Sequence, residues 1–332
     1  MRLPRQILKC LWLTAKASVV IASMLFPAFA AEKAYPSRPV QIIIPFSPGG
    51  STDILVRPIA LKLQQLLGQP FVIDNRGGAG GNIGANAVAH AKPDGYTIMM
   101  TTSGVAVVNK SLYANLSYDP ETDLVPISIV ASLPNMLVVA KTSPFNSLQD
   151  LVAGAKTAPG RLTFGSGGVG TSNHLAGELL KFVEKIDLTH VPYRGGGPAV
   201  LATMSGEVSM LFATISTAIG QVKAGQLKGL AVTGQQRSSV APDVPTMSEA
   251  GVKDFEMEIW IGALAPKGTP SEITEKLSRS IASVIADPDI LSRLKSEGYE
   301  PVASTPGEME KQIKTEAALW KKVIISAGLH AQ

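Results

Sequence analysis

The residues best suited to chemistry in this chain of 332 residues lie in glycine-rich segments that also carry hydroxyl groups. The first reads Ser47-Pro48-Gly49-Gly50-Ser51-Thr52-Asp53 and joins a run typical of a β-strand to a run typical of a helix. The first turn of a helix leaves N–H groups unpaired and carries about half a positive charge. Because adjacent glycines let a ligand approach that backbone, and Ser51 and Thr52 add hydroxyl donors, the segment predicts an anion-binding site. A tight turn that only caps the helix is the alternative, and we expect Asp53 to cap N–H groups, balance the dipole or accept from a ligand amine.

A second segment of the same design reads Gly165-Ser166-Gly167-Gly168-Val169-Gly170-Thr171 and again stands between a predicted strand and a predicted helix. Its first six residues match the G-x-G-x-x-G pattern of dinucleotide-binding proteins. The preceding strand is short and the next plausible acidic residue, Asp187, falls in a turn, so we interpret the segment as a second anion site. His174 and Glu178 stand one helical turn apart, but two ligands are too few for a metal site. We therefore expect His174 to cap the start of the helix or to line the binding cleft.

Two further glycine loops follow predicted strands, at the sheet edge where open α/β sheets bind their ligands. Each carries an arginine, Arg76 or Arg194, that is either a bidentate clamp for a carboxylate or a solvated loop residue. Hydroxyl-bearing strand ends share this ambiguity, and Trp260 either lines the cleft as a hinge aromatic or belongs to the core. The candidate ligand contacts from these regions are Gly81, Asn82, Ser103, Tyr193, Arg194, Thr214 and Trp260.

No segment of the sequence carries a motif for bond-breaking chemistry. The chain has no G-x-S-x-G nucleophile elbow, no H-E-x-x-H zinc motif and no P-loop lysine. Its four histidines are scattered, and no motif pairs one of them with a candidate serine. We therefore predict no catalytic residue, no metal site and no cofactor.

Residues 1–30 have the composition of a secretory signal peptide. They combine four basic residues with no acidic one, an apolar run that ends at Phe26, and the cleavage pattern Ala28-Phe29-Ala30. Removing those four of 30 basic residues leaves 26 basic against 26 acidic side chains, a neutral balance that argues against a nucleic-acid-binding face. The only cysteine, Cys10, leaves with the signal, and no later run of about 18 apolar residues would span a membrane. We expect cleavage after Ala30 and export of the remaining chain.

The elements that position the glycine segments alternate between short strands and helices, with little sign of hairpins. The predicted strands span residues 40–44, 71–73, 96–100, 137–140, 161–164, 188–191, 208–212 and 227–232. The predicted helices span residues 53–67, 83–91, 147–156 and 171–183, followed by a helical tail over 271–328. Such units predict an α/β fold with mostly parallel sheets covered on both faces. Because the pattern recurs without a linker, we expect two similar lobes joined by crossing strands.

Several motifs follow one another along the chain in an order shared with a known family. They begin with Tyr35-Pro36-Ser37-Arg38-Pro39-Val40 and the first glycine segment, and continue with Asn75-Arg76-Gly77-Gly78-Ala79-Gly80-Gly81-Asn82. The second glycine segment, His190-Val191-Pro192-Tyr193-Arg194-Gly195, Asp243-Val244-Pro245-Thr246 and Trp260-Ile261-Gly262 complete the set. In these motifs the chain resembles the Bug family, the periplasmic solute-binding proteins of tripartite tricarboxylate transporters.

The resemblance implies a periplasmic-binding-protein type II fold, a Venus flytrap of two α/β lobes, each a mostly parallel sheet flanked by helices. Lobe 1 would comprise residues 31–135 and 236–332, and lobe 2 residues 136–235. In this family, the loop that matches residues 47–52 holds a ligand carboxylate by backbone amides and ordered waters, opposite the loop that matches residues 165–171. The resemblance further implies a periplasmic protein that delivers a small organic carboxylate to a membrane permease. We expect a monomer, which is the default for such a function.

Two other functions remain open at this point. One is an exported ligand-sensing adaptor for a membrane signalling partner, and the other is an exported hydrolase that uses a serine of a glycine segment. The lack of a motif that pairs such a serine with a histidine argues against the hydrolase. The sequence does not identify the ligand, because backbone amides recognise any carboxylate and a few cleft side chains set the selectivity.

Overall fold

Short apolar runs form the strands and amphipathic runs form the helices in a computed structural model that describes residues 35–253, 255 and 257–326. The strands are β1 (Val40–Ile44), β2 (Phe71–Asn75), β3 (Thr97–Thr102), β4 (Leu124–Ala140), β5 (Thr163–Ser166), β6 (Thr189–Pro192), β7 (Met210–Thr214), β8 (Leu227–Val232), β9 (Glu258–Pro266) and β10 (Glu300–Pro301). The α-helices are α1 (Ser51–Leu67), α2 (Asn82–Ala89), α3 (Asn109–Leu112), α4 (Leu148–Thr157), α5 (Ser172–Glu184), α6 (Gly196–Ser205), α7 (Ile215–Lys223), α8 (Ser271–Ile285), α9 (Pro288–Ser296) and α10 (Pro306–Ser326). The expected signal peptide, residues 1–30, lies outside the described residues.

The strands pair in the order β2-β1-β3-β9-β4-β7-β5-β6, with β8 and β10 also paired to β4. Towards each end of this order the pairing is parallel: β1 lies between β2 and β3, and β5 lies between β6 and β7. In the middle, β9 and β4 pair antiparallel to each other and to their neighbours β3 and β7. With helices against both groups of parallel strands, the predicted two-lobed α/β fold is confirmed.

Strand β4 belongs to both groups of strands. Its first part pairs with β9, whereas its last part, from Asn135 to Ala140, pairs with β7 and β8. The sequence predicted only residues 137–140 as strand, because Pro126 and Pro134 lack the N–H that a central strand donates to its ladder. The structure accommodates Pro126 beside a register shift in the pairing with β9. A proline-containing strand therefore crosses from one group to the other.

Packing does not divide the two lobes into independent bodies. Arg38 and the described residues that follow it form one compact unit, so the lobe boundaries at 135/136 and 235/236 stay a prediction. In the part of the chain that the structure describes, no helix combines the length and the hydropathy needed to cross a bilayer.

Helix α1 carries the first glycine segment and is fixed by a simple pattern. Leu55, Ile59 and Leu63 follow one another at intervals of four residues and are fully buried. Gly68 ends the helix in the left-handed conformation, with φ of 71°. The helix begins at Ser51, two residues earlier than predicted, and continues through Pro58 without interruption. Helix α1 therefore starts inside the first glycine segment, at Ser51.

The C-terminal helices pack on the first group of strands. Helix α8 contacts α1 and β4, and α10 contacts β4 and the π-helix Gly104–Val108. Between them, Lys62 Nζ of α1 lies 2.8 Å from Asp287 Oδ2, the residue that precedes α9. These contacts hold the back of α1 and leave its first turn facing the cleft.

Candidate functional site

Four helices begin at one cleft. Their first residues are Ser51 of α1, Ser172 of α5, Gly196 of α6 and Ile215 of α7, and in each case this residue or the one before it lines the cleft. The lining residues are Phe46, Gly50, Ser51, Thr52, Thr102, Gly167, Thr171, Ser172, Asn173, Gly196, Thr214 and Ile259. The cavity between them measures about 30 Å³, far below the roughly 300–1,000 Å³ of a typical ligand pocket.

None of these four helices has a side chain that caps its first turn. Two helices that do not line the cleft differ: Ser147 accepts a hydrogen bond from the Asp150 N–H of α4, and Asp287 accepts from the Asp289 and Ile290 N–H groups of α9. The first-turn N–H groups of a helix have no partner within that helix, and each helix end carries about half a positive charge. The cleft therefore gathers donor groups and positive potential from four helix ends.

The side chains of the cleft add polar groups without adding charge. Every lining residue is uncharged, and Phe46 and Ile259 form its apolar part. Thr52 is only 2% exposed, and its Oγ1 has no hydrogen-bond partner among the described residues. A buried polar group without a partner costs about 1–3 kcal/mol, so this hydroxyl is suited to bind a ligand atom. No group of three potential metal ligands occurs in the described part of the chain.

The first glycine segment is held by the side chain of Asp53, which is buried. The Gly49 N–H donates to Asp53 Oδ2 at 3.0 Å. Arg57 donates to both carboxylate oxygens, from Nε at 2.9 Å and from Nη2 at 2.8 Å, and Asn75 Nδ2 donates at 3.2 Å. Of the three roles expected for Asp53, the structure shows the capping of loop N–H groups, because both oxygens are already engaged.

The ionisation of Asp53 follows from these contacts. Burial by itself would raise the pKa of Asp53, but the hydrogen bonds from Arg57, Gly49 and Asn75 outweigh it and hold the pKa below its ordinary value of 3.8. The carboxylate is therefore charged at neutral pH, and its charge is balanced by Arg57 at a distance of 2.8 Å.

The second glycine segment is held in the same manner by uncharged groups. Three of its N–H groups donate to nearby side chains: Gly167 to Asn173 Oδ1 (3.2 Å), Gly168 to Ser166 Oγ (3.0 Å) and Gly170 to His174 Nδ1 (3.3 Å). Because these amides are already paired, they differ from the expected open cradle. The N–H groups that remain for a ligand are those in the first turns of the helices.

The glycines serve close approach between loops on opposite sides of the cleft. A side chain at Gly77 would place its Cβ 2.9 Å from the carbonyl oxygen of Arg194, a distance that real Cβ atoms do not adopt. Ser47 donates to that same carbonyl from its N–H at 3.1 Å and from Oγ at 2.9 Å. Nearby, the Tyr113 hydroxyl donates to the carbonyl of Val169 at 2.9 Å. The two sides therefore contact each other mainly through backbone groups.

The structure divides the predicted ligand contacts into three sets. Those that line the cleft are Gly50, Ser51, Thr52, Gly167, Thr171 and Thr214. Those that hold the loops or join them across the cleft are Ser47, Gly49, Asp53, Ser166, Gly170 and His174. Those outside the lining are Pro48, Gly81, Asn82, Ser103, Tyr193, Arg194 and Trp260. The lining residues absent from the predicted set are Phe46, Thr102, Ser172, Asn173, Gly196 and Ile259.

The loops that carry Arg76 (residues 75–82) and Arg194 (residues 192–198) bond to groups outside the cleft lining or act through their backbone. Asn82 Oδ1 accepts a hydrogen bond from Asn109 Nδ2 at 2.7 Å, and the Tyr193 hydroxyl donates to Glu207 at 2.5 Å. The side chain of Arg194 is exposed, and only its carbonyl reaches the first glycine segment. Neither loop therefore supplies a guanidinium to the cleft lining.

Trp260 lies on the opposite face of β9 from the cleft. Its Nε1–H donates to the carboxylate of Glu316 in α10, at 3.1 and 3.0 Å, and the side chain is buried. Successive residues of a strand point to opposite faces, so it is the preceding residue, Ile259, that lines the cleft. Of the two roles expected for Trp260, the structure favours a place in the core.

A serine and a histidine do meet in the structure, although no sequence motif joins them. Ser166 Oγ lies 2.7 Å from His190 Nε2, because β5 and β6 pair in parallel and bring the two residues together. Ser166 is fully buried and its Oγ already accepts from the Gly168 N–H. The sequence argument against a serine–histidine pair is therefore wrong, but this hydroxyl is closed to a substrate.

A family model described as "Tripartite tricarboxylate transporter family receptor" matches residues 55–329. Protein BugT of Bordetella pertussis is 35% identical over 95% of this chain and 97% of its own length.

Solved structures give the same relationship. The periplasmic binding protein BugD superposes with a TM-score of 0.86 at 34% identity, covering 90% of this chain and all of BugD. Rpa4515 of R. palustris, solved with adipate, has a TM-score of 0.86 at 36% identity, covering 89% of this chain and 99% of its own. MatC of Rhodopseudomonas palustris, solved with bound malate, has a TM-score of 0.84 at 32% identity, covering 87% of this chain and all of its own.

Proposed function

Because this chain belongs to the receptor family of the tripartite tricarboxylate transporters, we propose that it captures a small organic dicarboxylate in the cleft and delivers it to a membrane permease. Its relatives are solute-binding proteins rather than enzymes, and two of them are solved with the dicarboxylates adipate and malate. The chemistry of the cleft in this chain supports the same class of ligand.

The observation that carries the proposal is the convergence of four helix ends without side-chain caps on one uncharged cleft. Each end carries about half a positive charge, so the four together supply about two, which matches the charge of a dicarboxylate. Hydrogen bonds to a charged acceptor contribute about 1.5–3 kcal/mol each. Three or four such bonds would approach the 8.2 kcal/mol that corresponds to a Kd of 1 μM.

Capture requires the two sides of the cleft to separate and close. A cavity of about 30 Å³ is far smaller than the roughly 300 Å³ or more of a typical ligand pocket, so we infer that a dicarboxylate enters when the sides are apart. We assign residues 31–135 and 236–332 to one moving lobe and residues 136–235 to the other. Ligand contacts to α1 on one lobe and to α5, α6 and α7 on the other then favour the closed form, which a permease recognises.

A thermal-shift panel on the purified protein tests the proposal. Succinate, malate and adipate are compared with their uncharged diamides, which keep the shape but lose the charge. A dicarboxylate at 100 times its Kd adds about 2.7 kcal/mol of stability, which raises the Tm by several degrees, and the diamides leave it unchanged. A flat response to all the acids would contradict the proposal and favour a sensing adaptor that binds a partner without a ligand.

The protein is proposed to release its ligand chemically unchanged. The buried Ser166 hydroxyl supports this, because a substrate has no access to it. Incubating the protein with each bound acid and with its methyl ester should leave both intact by NMR. Turnover of either compound would favour the hydrolase instead.

We further propose that the chain works in the periplasm as a monomer after loss of residues 1–30. The alanine pattern before residue 31 supports this cleavage site. Intact-mass analysis of protein recovered from the periplasmic fraction should give the mass of residues 31–332. A mass that retains residues 1–30 would contradict the assignment.

A further inference from the structure

Two imidazole rings lie side by side behind the second glycine segment, tilted by 41° to each other. The ring centroids of His174 and His190 are 4.4 Å apart, and Phe164 stacks on His190 at 4.8 Å. His174 is 6% exposed and lies in the first turn of α5. Neither ring lines the cleft. Both rings nevertheless reach the glycine segment through hydrogen bonds.

The hydrogen bond from Gly170 fixes the proton of His174. The Gly170 N–H donates to His174 Nδ1 at 3.3 Å, so this nitrogen must carry a lone pair rather than a proton. The ring proton is then on Nε2, which lies 4.0 Å from Glu178 Oε1. His174 is therefore a neutral acceptor with its proton on Nε2.

The hydroxyl of Ser166 fixes the proton of His190 in the opposite way. Ser166 Oγ accepts from the Gly168 N–H and is fully buried, so its own proton needs an acceptor. His190 Nε2 lies 2.7 Å away and is the partner for that proton. His190 is therefore neutral with its proton on Nδ1.

We infer that His174 and His190 are positioning residues for the ligand site. As neutral rings in opposite tautomers, they hold the N–H groups of Gly170 and Gly168 inward and so fix the first turn of α5 towards the cleft. The inference rests on the proposed function, since it assigns the two rings a role in ligand affinity. Neither histidine touches the ligand.

The local electrostatics keep both rings neutral. Burial, followed by the nearby His190 and Lys181, lowers the pKa of His174 to about 3. Burial, followed by Lys181, lowers the pKa of His190 to about 4. The charged groups closest to the pair are Lys181 and Glu178, which bind each other at 2.9 Å. A protonated His174 would present an N–H to the Gly170 N–H, and a protonated His190 would leave the Ser166 proton without its acceptor, so these hydrogen bonds require the neutral form of both rings.

The tautomers are measured on the wild-type protein without a ligand, by nitrogen NMR of ¹⁵N-histidine-labelled protein at pH 7. Two rings should be neutral, one with its proton on Nε2 and the other with its proton on Nδ1, and should stay neutral to about pH 5. Single substitutions of the histidines by glutamine assign the signals. The same tautomer on both rings, or a charged ring at pH 6, would overturn the inference.

The role in binding is measured by calorimetry with the acid of the succinate, malate and adipate panel that gives the largest thermal shift. His174→Leu removes the acceptor for the Gly170 N–H and should weaken binding at least about tenfold, or about 1.4 kcal/mol. His174→Gln keeps a side-chain acceptor and should restore most of the affinity. His90→Leu is the control, because His90 is exposed and its ring bonds to the carbonyl of Asn86 in the neighbouring helix α2.

Each outcome separates the inference from the proposed function. If no acid of the panel binds the wild type, the proposed function fails, while the NMR result still decides the tautomers. Wild-type affinity in a folded His174→Leu variant would overturn the positioning role. If that variant does not fold, the wild type decides: over the pH interval in which the two rings take up protons, its affinity must fall by more than protonation of the acid alone explains. A fall no larger than the protonation of the acid explains would also overturn the inference.

Discussion

The two glycine segments face each other across the cleft with the same backbone design, but they are held by different chemistry. Residues 47–53 are held by the carboxylate of Asp53, which is itself bound by Arg57. Residues 165–171 are held by a hydroxyl, an amide and an imidazole, from Ser166, Asn173 and His174. In both cases the loop N–H groups turn inward and the helix that follows presents its first turn. An anion site of this type therefore depends on where the helices begin. Either a charged carboxylate or uncharged polar groups can hold the loop in the position that this requires.

The two sides respond to acid over different pH ranges. A carboxyl with a lowered pKa, such as Asp53, contributes stability that is lost only as the pH falls below about 3.8. A histidine with a lowered pKa behaves differently, because the unfolded chain takes up its proton near pH 6.5 while the folded chain does not. The contribution of the two histidines to the free energy of unfolding is therefore complete above pH 6.5 and falls as the pH decreases towards 4.

The largest expected effect comes from placing a charge on the α1 side of the cleft. In Gly50→Asp the new Cβ fits, since its nearest neighbour, the Ser47 carbonyl oxygen, is 3.7 Å away. Two like charges about 4 Å apart repel by about 4 kcal/mol at an effective dielectric constant near 20. Dicarboxylate affinity measured by calorimetry should fall by about a thousandfold.

The matched control for this substitution is Gly50→Asn, which has the same size and no charge. It should bind more tightly than Gly50→Asp, and circular dichroism should show both variants folded. Equal affinities in the two variants would show that the field of the helix ends does not govern binding at this position.

The next effect tests the hydrogen bonds by which the Asp53 carboxylate holds the first glycine segment. Asp53→Asn removes the charge-assisted bonds from Arg57 and turns an amide donor towards other donors, so the free energy of unfolding should fall by about 2 kcal/mol. Denaturant titration measures it. The control is Asp94→Asn, whose ion pair with Arg38 at 2.9 Å is exposed and should contribute less than about 1 kcal/mol. Equal losses would mean that burial of Asp53 adds nothing.

A smaller effect concerns acid and separates the two sides directly. Lowering the pH from about 7 to about 5 should lower the Tm, because the histidine pair then takes up protons only in the unfolded chain. Asp53 stays ionised throughout this range. A double variant, His174→Gln with His190→Gln, should show a weaker dependence of Tm on pH in scanning calorimetry. An unchanged dependence would place the acid sensitivity elsewhere.

The smallest expected effect on binding is that of a residue of β9 just outside the cleft lining. Trp260→Phe removes the hydrogen bond to Glu316 and should lower the free energy of unfolding by about 1 kcal/mol. Because Trp260 lies on the far face of the strand, dicarboxylate affinity should change by less than about twofold, or about 0.4 kcal/mol. Ile259→Ala is the comparison, since Ile259 lines the cleft. A larger loss of affinity in the Trp260 variant than in the Ile259 variant would contradict this placement.

Local patterns were enough to predict the elements that carry the two segments. The start of α1 was predicted to within two residues, because the glycine segment and the spacing of Leu55, Ile59 and Leu63 are both local signals. The full length of β4 was not, since its prolines conflict with strand propensity. The first part of that strand is stabilised by pairing with β9 and β10, which lie more than a hundred residues further along the chain.

The site was predictable where its residues are neighbours in sequence and obscure where they are not. The motifs located Gly50, Ser51 and Thr52 in the cleft, as the structure places them. The direction of the loop N–H groups depends on the side chains that accept their hydrogen bonds, and the sequence does not specify the orientation of those side chains. The pairing of Ser166 with His190 depends on the register of β5 and β6. Such contacts follow from tertiary packing, which a single sequence does not reveal.

The bare helix ends make ligand binding a contribution to folding stability. A side-chain cap contributes about 1 kcal/mol to a helix, but glycine in its place costs only a few tenths. Because the residue before the helix is Gly50 or Gly195 at two of the four ends, the four together forgo about 2–3 kcal/mol, close to the roughly 2.7 kcal/mol that a ligand supplies at a hundred times its Kd. A bound dianion would thus serve as one shared cap for four helices, and resistance to heat or proteolysis would report directly how much of the protein is loaded.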